Sequence, residues 1–209
     1  MKRIFFGIQL FSCLSTAAQT NAVTSNGEEV ILYSNGTWRF VNKEDSNVSK
    51  LDTNKIAFTK TSEATFLLKS NVTSVGINFN PKKWSFKKST SNKDAEYSFQ
   101  LKDNDAYGMM ITERIEVPLE SLKNIALENA RNIAPDIKAV KEEYRNVNGV
   151  TVLFMQLNGT TQGIKFTYLG YYFSNEKGTV QLVSYTSQSL LNEYKTQLME
   201  LLNGLVVLN

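Results

Sequence analysis

Histidine is absent and the one cysteine is Cys13, so the side chains left to carry chemistry include carboxylates, serines, lysines and tyrosines. A Ser-His-Asp triad, a Cys-His pair, a histidine-ligated zinc and a histidine general base are therefore excluded. One cysteine also excludes an intramolecular disulfide and a CxxC redox pair. The carboxylates are poorly arranged for acid–base work. Glu142 and Glu143 are adjacent, and Glu113 and Glu116 are three apart, so on strands each pair splits between opposite faces. Asp103-Asn104-Asp105 offers oxygen ligands, but a Ca²⁺ loop would continue with a third acidic position, a glycine and a distal Glu. Ala106-Tyr107 follow instead, and a solvated hairpin turn is expected. No S-x-x-K on a helix and no G-x-S-x-G marks a histidine-free hydrolase. Catalytic, metal and cofactor residues are all assigned as none.

Binding chemistry has more to work with. Lys82, Lys83, Lys87, Lys88 and Lys93 surround Trp84 and Phe86. In strand geometry Trp84 and Phe86 share one face, with Lys83 and Lys87 opposite, so a core Trp under a basic rim is the expectation. Such a rim fits an anionic partner surface. Tyr168, Tyr171 and Tyr172 could line a pocket, although aromatics of a central strand are usually core. The candidate partner or ligand surface is therefore Lys83, Lys87, Tyr171 and Tyr172. A nucleic-acid partner is not expected. The formal charge is only +3, and it falls by two when Lys2 and Arg3 leave with the leader described below.

The elements that must position these residues can be read from pattern. Val75, Ile77 and Phe79 alternate on one strand face, and Lys83–Phe86 resumes after Asn80-Pro81. Tyr97–Leu101 and Gly108–Ile111 flank the Asp103 turn, the second strand extending to Val117. Pro118 suits a first helical position. Leu119, Leu122, Ile125-Ala126, Ala130 and Ile133 then follow helical spacing until Pro135. Strands are expected near Lys138–Val147, Val150–Leu157, Gly163–Phe173 and Thr179–Tyr185, with turns at Asn148-Gly149, Asn158-Gly159 and Asn175–Gly178. Leu190-Leu191, Tyr194, Leu198, Leu201-Leu202 and Leu205 form a final amphipathic helix, capped by Ser187 or Ser189 and ended by Gly204. Phe166, Tyr168 and Tyr172 point to one face of their strand and Leu169, Tyr171 and Phe173 to the other. A strand apolar on both faces is central and covered on both sides. The fold class expected is α+β: a central antiparallel sheet sandwiched by two main helices.

The N-terminus reads as a targeting segment. Lys2-Arg3, an apolar run to Leu14 and small residues at Ser15–Ala18 make residues 1–18 a secretory signal peptide, with Gln19 the first mature residue. The run is shorter than the ~20 residues of a transmembrane helix. Leu10-Phe11-Ser12-Cys13 offers an alternative, a lipobox with a lipid anchor on Cys13. Residues 24–41, which contain the turn signals Asn26-Gly27 and Asn35-Gly36, are expected to form a β-hairpin or three-stranded meander. Trp38 and Tyr33 are expected to pack across it. Residues 42–55 have linker composition, and residues 56–209 form the main domain.

The order of elements in the main domain resembles the PsbP-like family, which includes the DcrB-type bacterial proteins. The resemblance rests on Asn80-Pro81-Lys82-Lys83-Trp84, the helix start Val117-Pro118-Leu119-Glu120-Ser121-Leu122, the turn Val147-Asn148-Gly149-Val150, the aromatic strand, the Gly178 turn and the C-terminal helix. It spans about Phe66 to Val206. It implies an α/β/α sandwich and a non-enzymatic accessory or binding role. The reading is an exported, periplasmic or secreted protein of the bacterial envelope, without cofactor, that binds a protein or small-molecule partner. The alternatives are a lipid-tethered structural protein and a histidine-free hydrolase.

Overall fold

The computed structural model describes residues 19–23, 29–33, 38–40, 51–90 and 92–208. The signal peptide, Cys13, both N-terminal Asn-Gly turns and residues 41–50 of the expected linker lie outside the described residues. The chain divides into two compact units, Met1–Asn47 and Val48–Asn209.

In the first unit, β1 (Gln19–Val23), β2 (Glu29–Tyr33) and β3 (Trp38–Phe40) form an antiparallel sheet in that order. Its first strand precedes the segment in which the meander was expected. Register sets Trp38 opposite Leu32, which places it on the other face from Tyr33. The expected Trp38–Tyr33 pair is thereby corrected.

The second unit begins with β4 (Thr53–Phe58), so Thr53, Asn54 and Lys55, read as linker, are strand. There follow β5 (Phe66–Lys69), β6 (Val75–Phe79), β7 (Trp84–Lys88), β8 (Ala95–Leu101), β9 (Ala106–Glu113), α1 (Leu119–Ile133) and β10 (Lys138–Val147). The chain continues with β11 (Val150–Thr161), β12 (Ile164–Asn175), β13 (Gly178–Ser187), α2 (Leu191–Leu202) and β14 (Leu205–Val207). Eight strands make one sheet in the order β4-β10-β11-β12-β13-β9-β8-β7, and β14-β6-β5 make another.

This architecture overturns the expected antiparallel sheet sandwiched by two main helices. The unit is dominated by strand. Its large sheet is mixed, because β4 runs parallel to β10 while every other pair is antiparallel. One face is roofed by the β14-β6-β5 sheet as well as by α2. On the other, α1 packs mainly across β11 and β12 and reaches β10 through Lys123–Glu142 and Glu120–Tyr144. The pattern missed this for a physical reason. Val75–Phe79 alternates whichever sheet it joins, and its partners are set by hydrogen bonds to distant residues. Leu205 continues the heptad-like spacing of α2, yet its backbone pairs with Ile77 as part of β14.

Smaller corrections follow from local structure. Asn158-Gly159 is not a turn: β11 runs through it to Thr161, and the positive φ values fall at Gln162 (50°) and Gly163 (80°). Gly159 is needed instead because a Cβ there would press on Ile137, Phe166 and Ala134 at 3.1–3.2 Å. Pro118 is the cap before α1 rather than its first helical residue, and β9 stops at Glu113, so Glu116 lies beyond the strand. No side-chain hydrogen bond from Ser187 caps the 3₁₀ turn that precedes α2.

Two cores result. Trp84, Phe99, Tyr171, Leu182, Leu198 and Leu201 belong to the core on the α2 side. Leu122, Ala126 and Ala130 of α1 pack with Leu153, Met155, Leu157 and Tyr172 on the other. Helix α1 lies where it does because it is the crossover from β9 to β10, two strands separated by β13, β12 and β11.

Candidate functional site

The four residues proposed from sequence do not converge. Lys83 turns to the α2 side, where it pairs with Glu63 at 3.1 Å and Glu200 at 3.3 Å. Hydrogen bonds to those carboxylates hold its ammonium above the usual lysine range. Lys87 is exposed on the opposite face of β7, beside Tyr107 and Tyr185. Tyr171 and Tyr172 are neighbours on β12 and point into different cores. Trp84, expected beneath the basic rim, is buried at 2 % exposure.

Tyr171 is part of a buried polar network. Arg145, 6 % exposed, lays its guanidinium over Phe154, 3.5 Å from the ring centroid, and over Phe58 at 4.5 Å. Arg145 Nε donates to Glu143 Oε1 at 2.6 Å, and Nη1 donates to the Tyr171 hydroxyl at 3.4 Å. The Tyr171 hydroxyl in turn donates to Asn203 Oδ1 at 2.7 Å. Asn54 of β4 donates to Glu143 Oε1 at 3.1 Å. Burial raises the Glu143 carboxyl, but hydrogen bonds from Asn54, Arg145 and Lys141 outweigh it and the net shift is downward. With each charge paired, this network acts as a structural clasp that joins β4 to β10 and to the end of α2.

Among the described residues, a concave feature lies on the other face. Because α1 packs mainly on β11 and β12, a groove of about 580 Å³ remains between it, the 92–94 turn and the sheet. Its floor comes from three strands in register: Tyr172, Gln181 and Ile111 make one row across β12, β13 and β9, and Gly170, Val183 and Met109 make the next. Gly170 is required there, because a Cβ would stand 2.7 Å from the Tyr172 ring, which lies across it. Ile125 and Ile133 of α1, at 36 % and 55 % exposure, stand along the helix wall with Asn129 and Asn132. Lys93, Asp94 and Glu113 are exposed at the rim.

A third row continues the floor outward. Tyr168, Tyr185 and Tyr107 are in register, with ring centroids 5.4 Å and 5.6 Å apart. All three are half-buried, and burial raises each hydroxyl above its ordinary value. Sequence reading found Tyr168 and Tyr172 on one strand face and missed Gln181, Val183, Met109, Tyr185, Ile125 and Ile133. The signal for Ile125 and Ile133 was present, in an α1 apolar stripe wider than the Leu122, Ala126 and Ala130 line that α1 buries. Among the described residues no three His, Cys, Asp or Glu side chains are gathered as metal ligands. Among them, too, no helix is long and apolar enough to cross a membrane.

No protein-family model matches the chain, and no curated protein matches it in sequence. Solved structures do match. Cyanobacterial PsbP (CyanoP) from Synechocystis sp. PCC 6803 superimposes with a TM-score of 0.54 at 9 % identity, over 68 % of this chain and 91 % of that one. PA94 from Pseudomonas aeruginosa, described as a protein of unknown function and putative regulator, gives 0.44 at 13 % identity, over 68 % of this chain and 95 % of its own. LpqN of Mycobacterium tuberculosis, involved in cell envelope biogenesis, gives 0.45 at 10 % identity, over 69 % and 90 %. The chain is thus similar to PsbP at the level of the fold, and the fold is PsbP-like.

Proposed function

We propose that this is an exported, non-catalytic binding or accessory protein of the bacterial envelope, and that the groove beside α1 is where it binds. The groove carries the reading. Its volume falls in the range of small-molecule sites, about 300–1,000 Å³, and such sites are mostly apolar with a few convergent polar groups. Export is supported by the Lys2-Arg3 and apolar pattern of residues 1–18. β1, the first described strand, begins at Gln19, so cleavage after Ala18 leaves the N-terminal sheet whole.

Mass spectrometry of the protein isolated from its envelope fraction tests both halves. The expected result is a chain beginning at Gln19 that carries, under native conditions, a small-molecule adduct lost on denaturation. A lipidated Cys13 as the first residue would replace free export by tethering. Intact Met1 together with a bare native mass would overturn the proposal.

A further inference from the structure

The groove holds two polar groups that no other part of the molecule satisfies. Tyr172 is 3 % exposed and Gln181 is 7 % exposed, and both line the floor. They are Cα partners on neighbouring strands, so they stand side by side. Among the described residues, nothing hydrogen-bonds to the Tyr172 hydroxyl or to the Gln181 carboxamide. Although the two residues are mostly buried, their polar ends are not sealed from solvent and meet the water of the groove. An unpaired couple in the floor of an open groove is an edge awaiting a partner.

The surroundings define that partner. Met109, Ile111, Val183, Ile125 and Ile133 offer apolar surface on floor and wall. Methionine sulfur and tyrosine rings favour contact with flat aromatic bodies. The charged side chains of the lining, Lys93, Asp94 and Glu113, are all exposed and of mixed sign, so no buried charge answers a ligand charge inside. Bringing an ion against the Tyr172–Gln181 edge would strip its water without a counter-charge.

Resting on the binding reading above, we infer that the groove takes an uncharged small molecule with an apolar, ring-bearing body. One amide, carbonyl or hydroxyl edge of that molecule pairs with Gln181 and Tyr172. Gln181 supplies a donor and an acceptor together, and Tyr172 adds a hydroxyl that does both. Burial drives the Tyr172 hydroxyl far above its ordinary range, so it remains neutral throughout the physiological range.

The test uses the mature chain and two matched fluorescent probes. N-phenyl-1-naphthylamine is neutral, aromatic and carries an N–H donor. 8-Anilinonaphthalene-1-sulfonate has the same ring system with a negative charge. The neutral probe is expected to bind saturably at one site, at least tenfold more tightly than the sulfonate. Ile133→Asp, on an exposed wall position, should abolish binding with the circular dichroism spectrum unchanged. Gln181→Leu should weaken the neutral probe about tenfold. Tyr172→Phe, which removes only a hydroxyl, reads the same edge if Gln181→Leu does not fold. Equal binding of the sulfonate, or no response to either edge variant, overturns the inferred ligand class while leaving the groove as the site. Failure of the neutral probe to saturate, or its indifference to Ile133→Asp, overturns the groove reading itself.

Discussion

On the α2 side of the eight-stranded sheet, Trp84, Phe99, Leu182 and Leu198 are each 2 % exposed or less, under a roof made of α2 and the smaller sheet. On the α1 side the same strands carry Tyr107, Tyr168 and Tyr185 half-buried, and Gln181 and Tyr172 without partners. Buried charge on the closed side is fully paired, although the neutral Trp84 Nε1 and Gln197 Oε1 atoms there have no partner. Where Arg145 and Glu143 are buried on the closed side, they satisfy each other and recruit Tyr171, Asn203 and Asn54. Closure demands that accounting, because an unpaired charge in a dry core is costly. The half-covered face can leave groups unpaired because water reaches them. A ligand replacing that water gains apolar contact and a polar edge together.

The comparison predicts a graded series of effects. The largest belongs to Trp84→Ala on the closed side, expected to cost about 3–5 kcal/mol in denaturant unfolding. A cost near 1 kcal/mol would mean that this core relaxes as freely as the open face. Next is the clasp. A chain starting at Lys60 lacks β4, which removes Phe58 from Arg145 and Asn54 from Glu143. Against a chain starting at Val48, its melting temperature should fall by about 5–10 °C, corresponding to a few kcal/mol in a domain of this size. An unchanged value would show the network to be self-sufficient without β4.

A smaller effect is expected at Glu96. Burial raises its carboxyl, but hydrogen bonds from the Asn71 backbone, Ser70, Thr112 and the Asn71 side chain outweigh it, and the folded pKa is lowered. The depressed value means that the carboxylate's contribution is complete above the ordinary glutamate range and is lost as pH falls through the folded pKa. Glu96→Gln should therefore lower stability at neutral pH and flatten the acid side of the stability–pH curve. A parallel downward shift at every pH would assign the effect to packing. Smallest is Ile133→Ser on the open helix wall, expected within about 0.5 kcal/mol of the parent by denaturant unfolding, as for other exposed sites. A loss above 2 kcal/mol would show that the groove wall is core after all.

Much of the local structure was legible. Lys138–Val147, the Asn148-Gly149 turn, α1 and the two-faced aromatic strand all stand where pattern placed them. Each is specified by near neighbours: alternation, a positive-φ turn, a helical stripe ended by proline. The candidate site was less legible. Lys83 and Lys87 were grouped by closeness in sequence, yet one meets Glu63 and Glu200 and the other faces the tyrosine row. Tyr168 and Tyr172 lay on the correct strand face, but their partners Gln181, Met109 and Ile125 come from three other elements.

By itself, the sequence determined which residues alternate, that Asn148-Gly149 turns, and which chemistry is impossible without histidine or a second cysteine. Those are properties of neighbouring residues and of composition. Only the tertiary structure decided that Val75–Phe79 leaves the main sheet, that Leu205 ends in a strand, and that α1 crosses part of one face and leaves a groove. Those outcomes depend on hydrogen bonds and contacts between residues far apart in the chain. An apolar stripe states that a helix will bury one side, but how far it reaches across a sheet is set by where the strands on either end of it pair.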